Sequence, residues 1–140
     1  MISGKKVAAV DSDGSLCYPV RFFLRDTSFW VETYTSTERN NEKTRDFIKN
    51  FKPDILILDY FTGDTTALDI CRSEPDLKVS GNTEKIIASP VLLYPEISRK
   101  ILGLGMKFLR KPFLREDLLR TIVETAEKRG KRIEDIENYF

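Results

Sequence analysis

Four branched aliphatic residues in a row, Ile55-Leu56-Ile57-Leu58, run directly into Asp59. A strand apolar at every position must be covered on both faces, which antiparallel sheets with one wet face do not require. Pro53 ends whatever helix precedes it, so the run starts afresh as a strand. This segment alone predicts a central strand of a parallel sheet with a carboxylate at its carboxyl end.

The rest of the chain fits that frame. Lys6 to Val10 is a second short apolar run, closed by the polar turn Asp11-Ser12-Asp13-Gly14. Leu16, Val20, Phe23 and Leu24 follow at helical spacing, with Pro19 near the start, where a helix tolerates it. Phe29 to Ser36 is aromatic and β-branched and reads as a strand. Thr37 to Phe51 reads as a helix with a narrow apolar edge at Phe47, Ile48 and Phe51. After Asp59 come a short helix over Asp64 to Cys71 and a loop over Arg72 to Thr83. Then follow a strand at Lys85 to Ala88, closed by Ser89-Pro90, a helix over Pro95 to Leu104 and a strand at Met106 to Arg110. The last helix, Arg115 to Arg129, carries Leu118, Leu119, Ile122, Val123 and Ala126 on one face, with Gly130 as its stop.

Strand and helix alternate five times, which predicts an α/β fold with a five-stranded parallel sheet and helices on both faces. Sites in such sheets form at the carboxyl ends of the strands. Asp11, Asp13, Asp59, Ser89 and Lys111 all fall there, and core packing calls for none of them.

The bulk composition excludes several classes. The chain has 140 residues, 41% apolar and 32% charged, with a net charge of +1, so no global field points to nucleic acid or an anionic membrane. No apolar run approaches the roughly 18 residues of a spanning helix, and a cytoplasmic location is the expectation. Cys17 and Cys71 lie far apart with no CxxC or histidine partner, and read as small buried apolar groups. There is no histidine, which excludes a histidine base, histidine-ligated metals and any phosphohistidine of the chain's own.

Three motifs in register carry a family resemblance. Lys52-Pro53-Asp54-Ile55-Leu56-Ile57-Leu58-Asp59 resembles the phosphoacceptor strand of response regulator receiver domains. Ile86-Ile87-Ala88-Ser89 resembles the strand ending in that family's Ser or Thr, and Phe108-Leu109-Arg110-Lys111-Pro112-Phe113 its lysine-proline motif. The spacings agree, with 30 residues from Asp59 to Ser89 and 22 from Ser89 to Lys111. The resemblance covers about Lys5 to Arg129 and implies a flavodoxin-like receiver fold with strand order 2-1-3-4-5. A family member is a standard example of that order, so the topology is taken over with the resemblance.

The resemblance further implies a phosphorylatable two-component signalling domain rather than an enzyme proper. Asp59 would be the phosphoacceptor, with Mg2+ held by Asp11, Asp13 and Asp59. Ser89 and Lys111 would bind the phosphoryl group, and Phe108 would be the switching aromatic. A sensor histidine kinase or histidine phosphotransfer protein would supply the phosphoryl group. A downstream protein target would read the surface from Pro95 to Arg129, which is also a plausible homodimer face; neither nucleic acid nor membrane is expected as a partner. Residues 1–130 would form the receiver domain and 131–140 a charged tail, too short for an output domain, as in a single-domain regulator or a domain excised from a longer one.

The chain departs from the family near Met106-Lys107, where it is one residue shorter, and at two further places. Where the family has two adjacent acids, it reads Asp11-Ser12-Asp13, so a serine stands at a metal-ligand position and Asp13 follows one residue on. Phe61 stands two after the acceptor, where access of hydrolytic water is tuned.

Two other readings follow from these residues. A pseudo-receiver would keep the fold as a protein-interaction module and lose the phosphate chemistry, which Ser12 favours. Alternatively, Ala9 to Leu16 resembles the first motif of haloacid-dehalogenase-type phosphatases, with Asp11 as nucleophile, Asp13 as general acid/base, and Ser89 and Lys111 as later motifs. That fold is usually longer, and it leaves the apolar run into Asp59 unexplained.

Overall fold

The computed structural model describes residues 5–37, 41–62, 65–73, 83–89 and 95–127. In chain order the elements are β1 (Lys6–Asp11), α1 (Cys17–Leu24), β2 (Trp30–Thr35), α2 (Glu42–Phe51) and β3 (Ile55–Asp59). There follow β4 (Phe61–Thr62), β5 (Thr65–Thr66), α3 (Ala67–Ser73), β6 (Glu84–Ser89), α4 (Pro95–Gly103), β7 (Lys107–Arg110) and α5 (Arg115–Glu127).

β1, β2, β3, β6 and β7 form one parallel sheet in the order β2-β1-β3-β6-β7. Leaving aside the β4–β5 ribbon, which pairs only with itself, this is the predicted order 2-1-3-4-5. Strand residues alternate between two cores, as the pleat requires. Val7, Ala9, Ile55, Ile57, Ile86 and Ala88 pack with Leu16, Val20 and Leu24 of the α1 side and Leu118, Ile122 and Ala126 of α5. Ala8, Val10, Leu56, Leu58 and Ile87 pack on the opposite face with Ile48 of α2, Leu68 and Cys71 of α3 and Ile101 of α4. Every residue of β3 is buried, which is why its sequence shows no alternation. Each large aliphatic side chain so covered contributes about 1.5–3 kcal/mol. β2 lies at the sheet edge, and its residues are exposed or half-buried.

Local chemistry sets the boundaries. α2 ends at Lys52, whose backbone turns left-handed at φ 54° while its N–H bonds Ile48 O at 2.9 Å; Pro53 then forbids continuation. α5 buries Thr125 by turning its hydroxyl back to Thr121 O at 2.7 Å.

Two expectations need correction. Ser36 and Thr37 are irregular and α2 begins at Glu42, later than the expected start at Thr37; residues 38–40 lie outside the described residues. The helix expected over Asp64 to Cys71 begins at Ala67, because Phe61-Thr62 pairs antiparallel with Thr65-Thr66 first. The β-branched threonines at 62, 65 and 66 suit a ribbon better than a helix start. The loop expected over Arg72 to Thr83 overlaps α3 at Arg72 and Ser73; its remainder to Asn82, Pro90, Gly130 and the tail 131–140 lie outside the described residues.

Candidate functional site

Parallel strands present their carboxyl ends on one edge of the sheet, and here each inner one brings a polar group. Asp11 ends β1, Asp59 ends β3, Ser89 ends β6 and Lys111 follows β7. Register makes the convergence compulsory: Asp59 lies beside Ala88, and Ser89 beside Arg110. Backbone bonds close the edge, from Tyr60 N to Ala88 O at 2.8 Å and from Lys111 N to Ser89 O at 2.9 Å. A cavity of about 170 Å3 opens there, lined by Ser12, Asp13, Asp59, Tyr60, Phe61, Ala88, Ser89 and Lys111.

Asp59 is buried, and Lys111 Nζ stands 2.6 Å from its Oδ1. The pair meets at contact distance without hydrogen-bonding angles, so it is an ion pair rather than an aligned hydrogen bond. Burial pushes the Asp59 carboxyl up to about 6; Lys111 pulls it down, and the negative charges of Asp11 and Asp13 push it further up. Lys111 also donates to Ser15 Oγ at 2.8 Å.

Asp11 is fully buried, and both its oxygens accept from the protein. Oδ2 takes the N–H groups of Leu16 at 3.0 Å and Cys17 at 2.8 Å, and Oδ1 takes the Thr35 hydroxyl at 2.7 Å. It thus satisfies donors at the N-terminus of α1, a capping role supplied from the sheet. Asp13 is exposed and accepts from Ser15 N at 3.0 Å across a turn in which Gly14 has φ +82°. Hydrogen bonds from the Ser15 side chain and backbone hold its carboxyl below the usual range.

The structure therefore brings Asp11, Asp13, Asp59, Ser89 and Lys111 to one place. Phe108 stands apart from the cavity lining: it is half-buried beside Ile87 in the sheet and packs on the core that holds Ile101 and Met106. Sequence reasoning missed Ser15, Thr35 and Tyr60. The Asp13-Gly14-Ser15 turn was a usable signal for Ser15; Thr35, on a neighbouring strand, had none.

The oxygen donors fit a small hard cation. Carboxylate oxygens of Asp11, Asp13 and Asp59 all lie within 4.8 Å of one another. Opposite ligands of an octahedral Mg2+ stand about 4.2 Å apart, and the exposed Asp13 has room to close the difference. Asp11, with three protein donors already on it, is the least available of the three.

Phe61 is 59% exposed at the mouth, edge-on to Tyr60 with centroids 4.8 Å apart. Cys17 is buried, with Sγ 3.3 Å from Ala9 O; burial and then the nearby Asp11 push its thiol up to about 12. None of the described helices is long and apolar enough to cross a membrane.

The sequence matches no family model and no curated protein. The fold, however, is shared with many solved structures. A signal receiver domain from Vibrio parahaemolyticus superposes with TM-score 0.74 at 20% identity, over 95% of this chain and 96% of that one. A two-component response regulator from Clostridium difficile gives 0.73 at 16% identity, over 91% and 99%. The chemotaxis protein CheY4 of Vibrio cholerae gives 0.71 at 22% identity, over 87% and 98%. The chain has the flavodoxin-like fold of response regulator receiver domains.

Proposed function

We propose that this chain is a phosphoacceptor signalling domain in which Asp59 takes a phosphoryl group from a partner and the change is read by another protein. The observation that carries the reading is Lys111 Nζ at 2.6 Å from a buried Asp59 Oδ1, in a cavity that also holds Asp13 and Ser89. Neither core packing nor capping calls for that arrangement.

The chemistry is a nucleophilic displacement. An Asp59 oxygen attacks phosphorus, a new O–P bond forms, and the donor's bond to phosphorus breaks. The electron pair leaves with the donor group, imidazole for a phosphohistidine. As the chain has no histidine, that donor is another protein, a sensor kinase or phosphotransfer protein. Asp13 and Asp59, with Asp11 behind them, would hold Mg2+, which shields the negative charge of the two approaching anions. Lys111 pairs with phosphoryl oxygens as a point charge, and Ser89 can donate its hydroxyl to them. On this reading Phe108 and the α4–β7–α5 face report the change, and the protein works in the cytoplasm.

Ser12, standing where the family has an acid, favours the pseudo-receiver as second reading. The phosphatase reading is poorly supported, because Asp11 has both oxygens bound by protein donors and does not line the cavity.

Beryllofluoride with magnesium mimics an acyl phosphate and tests the proposal. It should raise the unfolding temperature of the wild type and shift amide signals around Asp59, and do neither in Asp59→Asn. A folded wild type that shows neither response would leave the pseudo-receiver reading in possession.

A further inference from the structure

Ser15 is exposed and takes no part in the core, yet it touches both sides of the site. Its hydroxyl accepts from Lys111 Nζ at 2.8 Å, across 96 positions of sequence. Its backbone N–H holds Asp13 Oδ1 at 3.0 Å. The left-handed Gly14, at φ +82°, folds residues 13 to 15 back to make both contacts at once.

The geometry points to Ser15 as a positioning residue for phosphoryl transfer, fixing the Lys111 ammonium over Asp59 through its hydroxyl. This rests on the phosphoacceptor reading. A lysine head on four rotatable bonds has three donors and no preferred direction of its own. Here charge holds the ammonium against Asp59 Oδ1 and one donor is spent on Ser15 Oγ, which fixes its place and leaves donors for an incoming phosphoryl oxygen. Fixing the cation before the reaction avoids reorganisation during it. Lys111 does not activate Ser15 as a nucleophile: an ammonium paired with Asp59 is charged and cannot serve as a base. Nor is the Ser15 side chain needed to make the turn: Ser15→Ala loses the hydroxyl's hydrogen bond to Asp13 but keeps the backbone one that closes the turn.

The test measures transfer from acetyl phosphate with magnesium, in which the Asp59 O–P bond forms and the P–O bond to acetate breaks, acetate leaving with the electron pair. Rates are taken for the wild type, Ser15→Ala, Ser15→Thr, Lys111→Met and the Ser15→Ala/Lys111→Met double variant. Circular dichroism checks that each is folded. Ser15→Ala should lose about tenfold in rate, the scale of one charge-assisted hydrogen bond. Ser15→Thr, which keeps the hydroxyl, should recover most of it. In the Lys111→Met background Ser15→Ala should change the rate by less than about twofold, because the residue acts through a lysine no longer there. An equal loss in both backgrounds, or no loss in the first, overturns the proposal and leaves the phosphoacceptor reading standing. A wild type that takes up no phosphoryl group overturns both.

Discussion

Replacing Asp59 by asparagine should make this protein more stable at neutral pH, and by an amount that depends on pH in a defined way. The carboxyl titrates at about 6 when folded, against an ordinary 3.8. Below 3.8 both folded and unfolded chains hold the proton. Between 3.8 and about 6 the unfolded chain ionises first, so stability falls as pH rises. Above about 6 both forms are ionised and the loss levels off. At about 1.36 kcal/mol for each tenfold in proton affinity, the full loss is about 3 kcal/mol. The amide cannot ionise and escapes it. The ion pair with Lys111 exists only where Asp59 is ionised, and its pull is already contained in the folded value of about 6, so it adds no separate cost for asparagine. Asp59→Asn should therefore nearly match the wild type at about pH 4 and exceed it by about 3 kcal/mol at about pH 7.5. Thermal unfolding at the two pH values reads this as a swing of about 6–10 °C. Saturating Mg2+ should close the gap at the higher pH, because it stabilises only the ionised wild type. A gap that does not change between the two pH values, or a variant less stable than the wild type at the higher one, would refute the reasoning.

Other expectations follow from the same structure. Asp11→Ala strands the N–H groups of Leu16 and Cys17 and should cost about 2–4 kcal/mol in denaturant unfolding; an unchanged midpoint would deny Asp11 its capping role. Cys17, pushed up to about 12, and Cys71, to about 11, should resist a thiol reagent at about pH 8 until the protein unfolds. Since both folded values exceed the ordinary 9.0, stability should also fall as pH rises beyond 9.0. Leu58→Ala in the fully buried β3 should cost about 2–5 kcal/mol by the same unfolding measurement. Gly14→Ala meets no atom within 4 Å, so its cost should be backbone strain alone, about 1–2 kcal/mol by chemical denaturation.

Most of the architecture was legible in the sequence because burial on both faces leaves an unmistakable mark. Ile55 to Leu58 and Lys85 to Ala88 could be little else than inner strands, and the parallel arrangement then gathers Asp11, Asp59, Ser89 and Lys111 at one edge. What stayed hidden depended on contacts between distant segments. Nothing at Thr35 announces that its hydroxyl meets Asp11, and the turn that places Ser15 near the site does not announce that its hydroxyl meets Lys111. The β4–β5 ribbon was hidden for another reason: two-residue strands are too short for a period to show. Asp11 is the instructive case. Its type and place suggested a metal ligand, and a carboxylate oxygen does lie within 4.8 Å of those of Asp13 and Asp59; what the sequence did not show is its second, structural task, three hydrogen bonds at the head of α1.

The central claim is that Asp59 is the group that becomes phosphorylated. Incubation with magnesium and acetyl phosphate, borohydride trapping and peptide mapping by mass spectrometry would locate any acyl phosphate. The account predicts a single adduct at Asp59 that vanishes in Asp59→Asn. An adduct at Asp11 or Asp13, or none at all in a protein shown to be folded and to bind magnesium, would contradict it.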